Sequence, residues 1–268
     1  TNASASEMSE RINRETGCKI DASTFHKLGL NIITKVKGNV PKITQLSLRK
    51  FIKEQLLLNM QSDAYLDLLS TYLLYNRVVA KSEFEFKTQA EYDEYLRLNP
   101  PTTINNETVK SYGEMDIANF LMQNGIAYIY EQPYKVDTRT SEYGQYHPDF
   151  YLPEYDIYIE YFGINKNGEV PSYFRGKNGM TATQTYQASM KWKRETHNAN
   201  DTILIECYAY EKFDGVLLEK LKERLVANGV KLTPKTTKEL WEKVSSDGES
   251  ILDGIIELFE TVINLIKS

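Results

Sequence analysis

Cysteine is almost missing from this chain: Cys18 and Cys207 are the only two in 268 residues. They lie far apart and in unlike surroundings. That excludes a disulfide framework and a cysteine-rich zinc cluster, and it makes reduced thiols in a cytoplasmic protein the default expectation. Histidine is scarce too, with three residues. His147 reads as a loop histidine, and His197 shows no partner that would make it a general base. No run of eighteen apolar residues and no signal peptide is present, so no membrane segment is expected. Positive charge is not in excess either. Lys and Arg total 32 against 37 Asp and Glu, a net charge of -5, so the chain as a whole exerts no pull on nucleic acid. The short basic clusters at 35–42, 49–53 and 191–194 read as solvated helix faces. There is no GxxxxGK[ST] phosphate loop, and hence no ATP site is expected within these residues.

What is present is an ordinary globular composition, 41% hydrophobic and 26% charged, which argues against disorder. Tyrosine is abundant at 19 residues, and many fall between 128 and 210. They read as packing of a sheet with a wet edge rather than as base-stacking platforms.

Apolar spacing predicts helices over 2–14, 25–36, 46–60 and 62–76. Thr24 is placed to cap the second, with Phe25, Leu28, Leu30, Ile32 and Ile33 as its expected buried stripe. Residues 19–23 are expected to form a short strand. A linker follows over 78–109, with an alternating piece at 83–86 and a short helix at 90–98. Then comes an α/β unit. Its helix over 111–124 opens on Ser111 and Glu114 at capping-box spacing and closes at Gly125. A strand over 126–134, a hairpin over 147–163, a polar loop over 165–183, a helix over 185–198, a strand over 202–210 and a helix over 213–227 complete it. Helices over 238–244 and 250–267 end the chain, the last with Ile251, Ile255, Phe259, Val262 and Ile266 on one face. The expected fold class is α+β: a helical subdomain over 1–90 and 230–268, into which an α/β domain over 91–229 is inserted.

The hairpin HPDFYLPEYDIYIEYFG carries the chemistry. In its second run Ile157, Ile159 and Tyr161 share one face and Tyr158, Glu160 and Phe162 the other. A carboxylate among aromatics must be paired, protonated or bound to a cation. Asp149, at the start of the partner run, can be brought to Glu160 by the turn between them, and two such acids suit a divalent cation in front of a phosphate. Glu114 can point inward from its helix as well as cap it. On the helix over 185–198, Tyr186, Met190, Lys193 and His197 share one face, so Lys193 stands on an apolar side where its ammonium could offset the two acids. Arg194 is the alternative cation. Glu131 and Glu206 are expected in edge positions or surface ion pairs.

Glu114, then Pro148-Asp149, then Glu160, with a basic residue nearby, resembles the PD-(D/E)XK nuclease superfamily. The resemblance implies an α/β restriction-endonuclease-like core in which Asp149 and Glu160 bind Mg2+ or Mn2+, Glu114 completes the site and a lysine assists water. The motif places that lysine two residues after Glu160, where this chain has Phe162; some members supply it from a neighbouring helix, and Lys193 is the candidate. The flanks resemble UvrD-like superfamily one DNA helicases. TNASASEMSERIN at 1–13 is similar to their motif Ia, STFHKLGLNII at 23–33 to motif Ic, and FETVINLIKS at 259–268 to the end of the 1B subdomain. By this resemblance Thr1, Asn2, Thr24, Phe25 and His26 face single-stranded DNA, and the chain is a fragment lying between the helicase's two ATPase motifs. The expected function is a metal-dependent DNA endo- or exonuclease carried by a helicase involved in DNA repair. Its partners would be single-stranded or junction DNA and the remainder of the helicase chain. The rival expectation is a catalytically silent DNA- or partner-binding module that assists the helicase.

Overall fold

In a computed structural model, residues 2–41, 47–76, 79–245 and 248–267 are described. The side chains of Asn2, Gly248, Glu249, Ser250 and Lys267 are outside that description. The fold is mixed α/β, with a small four-stranded mixed sheet flanked by helices. In the sheet β1 (Ile129–Tyr130), β2 (Phe150–Leu152), β3 (Ile157–Phe162) and β4 (Ile203–Tyr208) lie side by side in chain order. The first three are antiparallel neighbours, and β4 runs parallel to β3. That last pairing requires a crossover, and α7 (Ala182–Ala199) supplies it.

Both faces of the sheet are covered, and so every residue of β3 is buried. Ile157 and Ile159 face a core shared with Ile117 and Leu121 of α6 (Tyr112–Gln123) and Leu221 and Leu225 of α9 (Leu217–Ala227). Phe162 packs with Met190 on α7, and Tyr158 with Tyr134 and Tyr146. The alternation along 157–162 therefore separates two cores, not core from solvent. Helix α6 begins where Ser111 Oγ accepts from Glu114 N at 3.1 Å, and ends at Gly125, whose φ of 68° is the left-handed conformation that glycine adopts without strain.

Before this unit come α1 (Asn2–Thr16), α2 (Phe25–Lys37), α3 (Leu48–Asn59), α4 (Asp63–Thr71) with a π-helical turn Tyr72–Asn76, a 3-10 turn Glu83–Glu85 and α5 (Gln89–Leu98). A short α8 (Ala209–Phe213) precedes α9, and α10 (Thr237–Val244) and α11 (Gly248–Lys267) follow it. Helices from the two ends of the chain pack together: α4 meets α10, and α3 meets α11, burying Ile52, Leu56, Leu69, Ile255 and Ile256. Arg49 spans the same seam to Asp253 and Glu260. Among the described residues no helix is long and apolar enough to cross a membrane.

Several expectations from the sequence are corrected. Residues 19–23 form no strand; Asn13 and Ser9 of α1 cap their backbone N–H groups instead, at Ile20 and Ala22. The apolar stripe of α2 is not buried: Phe25 is 91% exposed, and Leu28, Ile32 and Ile33 are exposed as well, because the described residues do not cover it. The piece at 83–86 turns as a 3-10 helix capped by Ser82. The strand over 126–134 shortens to two residues, and the helix over 213–227 divides at Gly215, whose φ is 74°. On α11 the buried seam is Ile255 and Ile256, while Phe259, Val262 and Ile266 are exposed.

Candidate active site

Asp149 and Glu160 are brought together by strand register. Phe150 pairs with Ile159, so the same register carried one residue further sets Asp149 opposite Glu160. Asp149 stays half-buried, and its Oδ2 accepts from the N–H of Tyr161 at 2.7 Å. Glu160 is 1% exposed and fully engaged: its Oε1 accepts from the Tyr146 hydroxyl at 2.7 Å, and its Oε2 meets Lys193 Nζ at 2.5 Å. Glu114 approaches from the first turn of α6. It takes hydrogen bonds from Ser111 Oγ at 2.9 Å, from the Tyr130 hydroxyl at 2.5 Å and from Lys110 N at 3.1 Å. It is thus at once a cap and a member of the cluster.

Electrostatics ties the three acids into one group. Burial, and then the charge of Glu160, push the Asp149 carboxyl up to about 8, against the opposing pull of Lys193. Burial, and then Asp149, push Glu114 up to about 7. Burial raises Glu160 as well, opposed by Lys193. Carboxyls lifted this far repel one another, and an added positive charge would relieve them.

Lys193 comes from α7 on the face shared by the buried Met190 and His197, and its Nζ lies 5.4 Å from the ring centroids of both Tyr146 and Phe162. Phe162, which stands where the sequence resemblance expects a lysine, thus forms part of the wall beside Lys193. Arg194, the alternative cation, instead forms a bidentate pair with Glu206. Glu131 pairs with Lys110, and His147 is exposed with Nδ1 3.0 Å from the Glu131 carbonyl; neither joins the acids.

Among the described residues no three His, Cys, Asp or Glu side chains are placed together to hold a metal ion. The donor set is instead two neighbouring carboxylates, Asp149 half-exposed and Glu160 buried, with the Lys193 ammonium beside them. This suits a cation of the magnesium type, which keeps most of its waters and takes one or two carboxylates plus substrate oxygens.

Of the residues expected at DNA, Thr1 lies outside the described residues, and Asn2 opens α1 with its side chain outside them. Thr24 Oγ1 accepts from Lys27 N as the N-cap of α2. Together with Phe25 and His26 it lines an open groove against Ala5 and Met8 of α1.

Sequence reasoning missed Tyr146, which touches Glu160, and underrated His197. The latter is 1% exposed, and its Nε2 lies 3.2 Å from the Tyr146 hydroxyl. Burial, with Lys193 second, pushes His197 down to about 4. Its unfolded value is about 6.5, so the unfolded chain takes up the proton first as pH falls. His197 should therefore cost stability progressively from about pH 6.5 to pH 4, reaching roughly 3 kcal/mol at the low end. Urea unfolding of wild type and His197→Gln across this range checks it: the stability of wild type relative to the variant falls as the pH is lowered. A pH-independent difference would show a histidine that titrates alike in both states.

Comparison of the chain with protein-family models, with curated proteins and with solved structures finds no match in any of the three.

Proposed function

We propose that the α/β unit is a metal-dependent nuclease that hydrolyses phosphodiester bonds in DNA, and that the helices around it are a UvrD-like helicase 1B-type region into which this restriction-endonuclease-like domain is inserted. The observation that carries the reading is the delivery of Lys193 from α7 onto Glu160 beside Asp149, which places an ammonium and two acids at one end of the sheet. A half-buried lysine paired with a buried carboxylate contributes little to stability, so a chemical task is the economical account of it.

Asp149 and Glu160 are the residues that would hold Mg2+ or Mn2+. Such an ion, when bound, polarises the phosphate and lowers the pKa of a water. The chain's own part is positional and electrostatic. Lys193, held between two rings, is aimed to hold a water or to stabilise charge developing on the phosphate oxygens. Glu114 holds the position nearest to neutral pH, at about 7, where a carboxyl can accept a proton from a water and release it again. The exposed Phe25, with Thr24 and His26, offers a surface for unpaired DNA bases, and the remainder of a helicase chain would be the natural covalent partner.

A second reading rests on one specific feature. Every carboxylate oxygen of Glu160 and Glu114 already has a donor within the protein. A domain that keeps this fold as a silent DNA- or partner-binding module would look the same. Incubating the full chain with single-stranded and duplex DNA plus Mg2+ or Mn2+, beside Lys193→Met and Asp149→Ala, separates the two. Metal-dependent cleavage lost in both variants is the expected result. DNA binding without cleavage above that of the variants would leave the binding module standing alone.

A further inference from the structure

Behind Glu160 lies a row of buried polar groups that the site's chemistry does not itself use. The Tyr146 hydroxyl touches Glu160 Oε1 at 2.7 Å and His197 Nε2 at 3.2 Å. His197 Nδ1 lies 2.7 Å from Thr202 Oγ1, and Thr202 Oγ1 lies 2.6 Å from the Tyr134 hydroxyl. All five side chains are buried: Tyr134, Tyr146, Glu160, His197 and Thr202. They come from the loop before β2, from β3, from the last turns of α7 and from the entry to β4. Four parts of the fold therefore contribute to one row that ends on the Glu160 carboxylate.

The direction of the protons follows from what each group can do. An ionised carboxylate only accepts, so Tyr146 spends its one O–H on Glu160. Its oxygen can then only accept from His197, which requires the ring proton on Nε2. A neutral ring with Nε2 protonated leaves Nδ1 as an acceptor, and Thr202 is the donor that reaches it. Thr202 oxygen in turn accepts from Tyr134. Each proton is used once and each acceptor is filled.

We infer that Tyr134, Thr202, His197 and Tyr146 form a one-way chain of hydrogen bonds whose direction is set by the Glu160 carboxylate, and that Tyr146 is a positioning residue which holds Glu160 for its work. The direction of the chain stands on these contacts and on an ionised Glu160; the positioning role rests on the reading of Glu160 as a cation ligand. Outer partners of ligating carboxylates typically carry 10- to 100-fold in metal affinity. The geometry also provides an alternative state. Thr202 Oγ1 lies 3.3 Å from the His197 carbonyl, so its proton can turn there when Nδ1 carries one of its own. Removing Glu160 frees the Tyr146 proton to turn toward Nε2, and the ring proton should then move to Nδ1.

The test uses the full chain labelled with 15N at its three histidines. His197 in the wild type should show Nε2 protonated and Nδ1 bare at neutral pH. In Glu160→Ala the two nitrogens should exchange roles, and in Tyr146→Phe as well, since Nε2 loses its acceptor. A merely packed Tyr–His pair would keep one tautomer throughout. A wild-type ring protonated at Nδ1, or a tautomer unmoved in both variants, overturns the inference. In parallel, Mn2+ titration without DNA should show about 10-fold weaker binding in Tyr146→Phe and about 3-fold in Thr202→Val, both variants being folded by circular dichroism. Unchanged Mn2+ affinity in both variants overturns the positioning role while the cation site stands. A wild type that takes up no Mn2+ sinks the cation site and the positioning role with it, and the nitrogen shifts still decide the chain.

Discussion

Under the proposed nuclease function, Asp149→Asn is expected to reduce metal-dependent DNA cleavage by at least about 100-fold; independently of that function, it is expected to make the protein more stable at alkaline pH. Both effects have one origin. The carboxyl of Asp149 is pushed up to about 8 by burial and by Glu160, and Glu114 is pushed up to about 7 by burial and by Asp149. A carboxyl raised in the folded state binds its proton more tightly there than in the unfolded chain. Its contribution to stability is full below the unfolded value of about 4 and is lost as pH rises through the folded value. Above that value the native protein holds three crowded negative charges with one ammonium. Asparagine preserves the shape, and its carbonyl can still accept from the Tyr161 N–H that now donates to Asp149 at 2.7 Å. It removes only the charge. A gain of about 2 kcal/mol at pH 9 is expected, since each pKa unit is worth about 1.4 kcal/mol and the repulsion is shared among three acids. Near pH 5 the gain should shrink, because the wild type has by then taken up protons. Calorimetry at the two pH values, with a cleavage assay beside it, reads both effects. An Asn variant that is less stable at pH 9, or one that cleaves like wild type, would mean that Asp149 serves only as a backbone acceptor.

Gly113→Ala should produce a large loss of stability for a single added methyl group. A Cβ at this position would lie 2.0 to 2.5 Å from three ring carbons of Tyr161. Real Cβ atoms do not approach so closely, and Tyr161 is itself 7% exposed and held in the core against α6. Either the ring leaves or the first turn of α6 lifts from the sheet, and that turn carries Glu114. Overpacking of this severity costs about 3 kcal/mol or more. The expected result is a fall in melting temperature of about 10 °C, with weaker cation binding, and partial recovery in the double variant Gly113→Ala/Tyr161→Val, which makes room for the methyl group. Gly144→Ala, where a Cβ would meet nothing within 4 Å, serves as the neutral control. Equal melting temperatures for the two alanine variants would mean that the close approach of α6 to β3 does not govern the site.

Much of the site was legible because it is written in local rules. Alternation along 157–162 put Glu160 on the face opposite Ile159, a turn read at 152–155 allowed a hairpin to bring Asp149 to it, and Ser111 three residues before Glu114 announced the start of α6. Helical spacing also put Lys193 on the side of α7 that carries Met190 and His197. Each of these depends on neighbours within a few residues, and the chain expresses them without reference to the rest of the fold.

Other features depended on which surfaces meet, and no local rule contains that. The same helical spacing that correctly buried one face of α7 wrongly buried the stripe of α2, since periodicity shows that a face is apolar but not what covers it. Tyr146 gave no sign in sequence, because its partners Glu160 and His197 are 14 and 51 residues away. Phe162 stands where the resemblance expects a lysine, and nothing in the sequence shows that α7 lays Lys193 against its ring. The sequence by itself determined which residues are acidic, which are buried in strands and where helices start. Only the tertiary structure decided that a lysine from one side of the sheet and a carboxylate from the hairpin meet at 2.5 Å, because that contact is made by long-range packing of β3, β4 and α7, whose burial outweighs any preference of the segments alone.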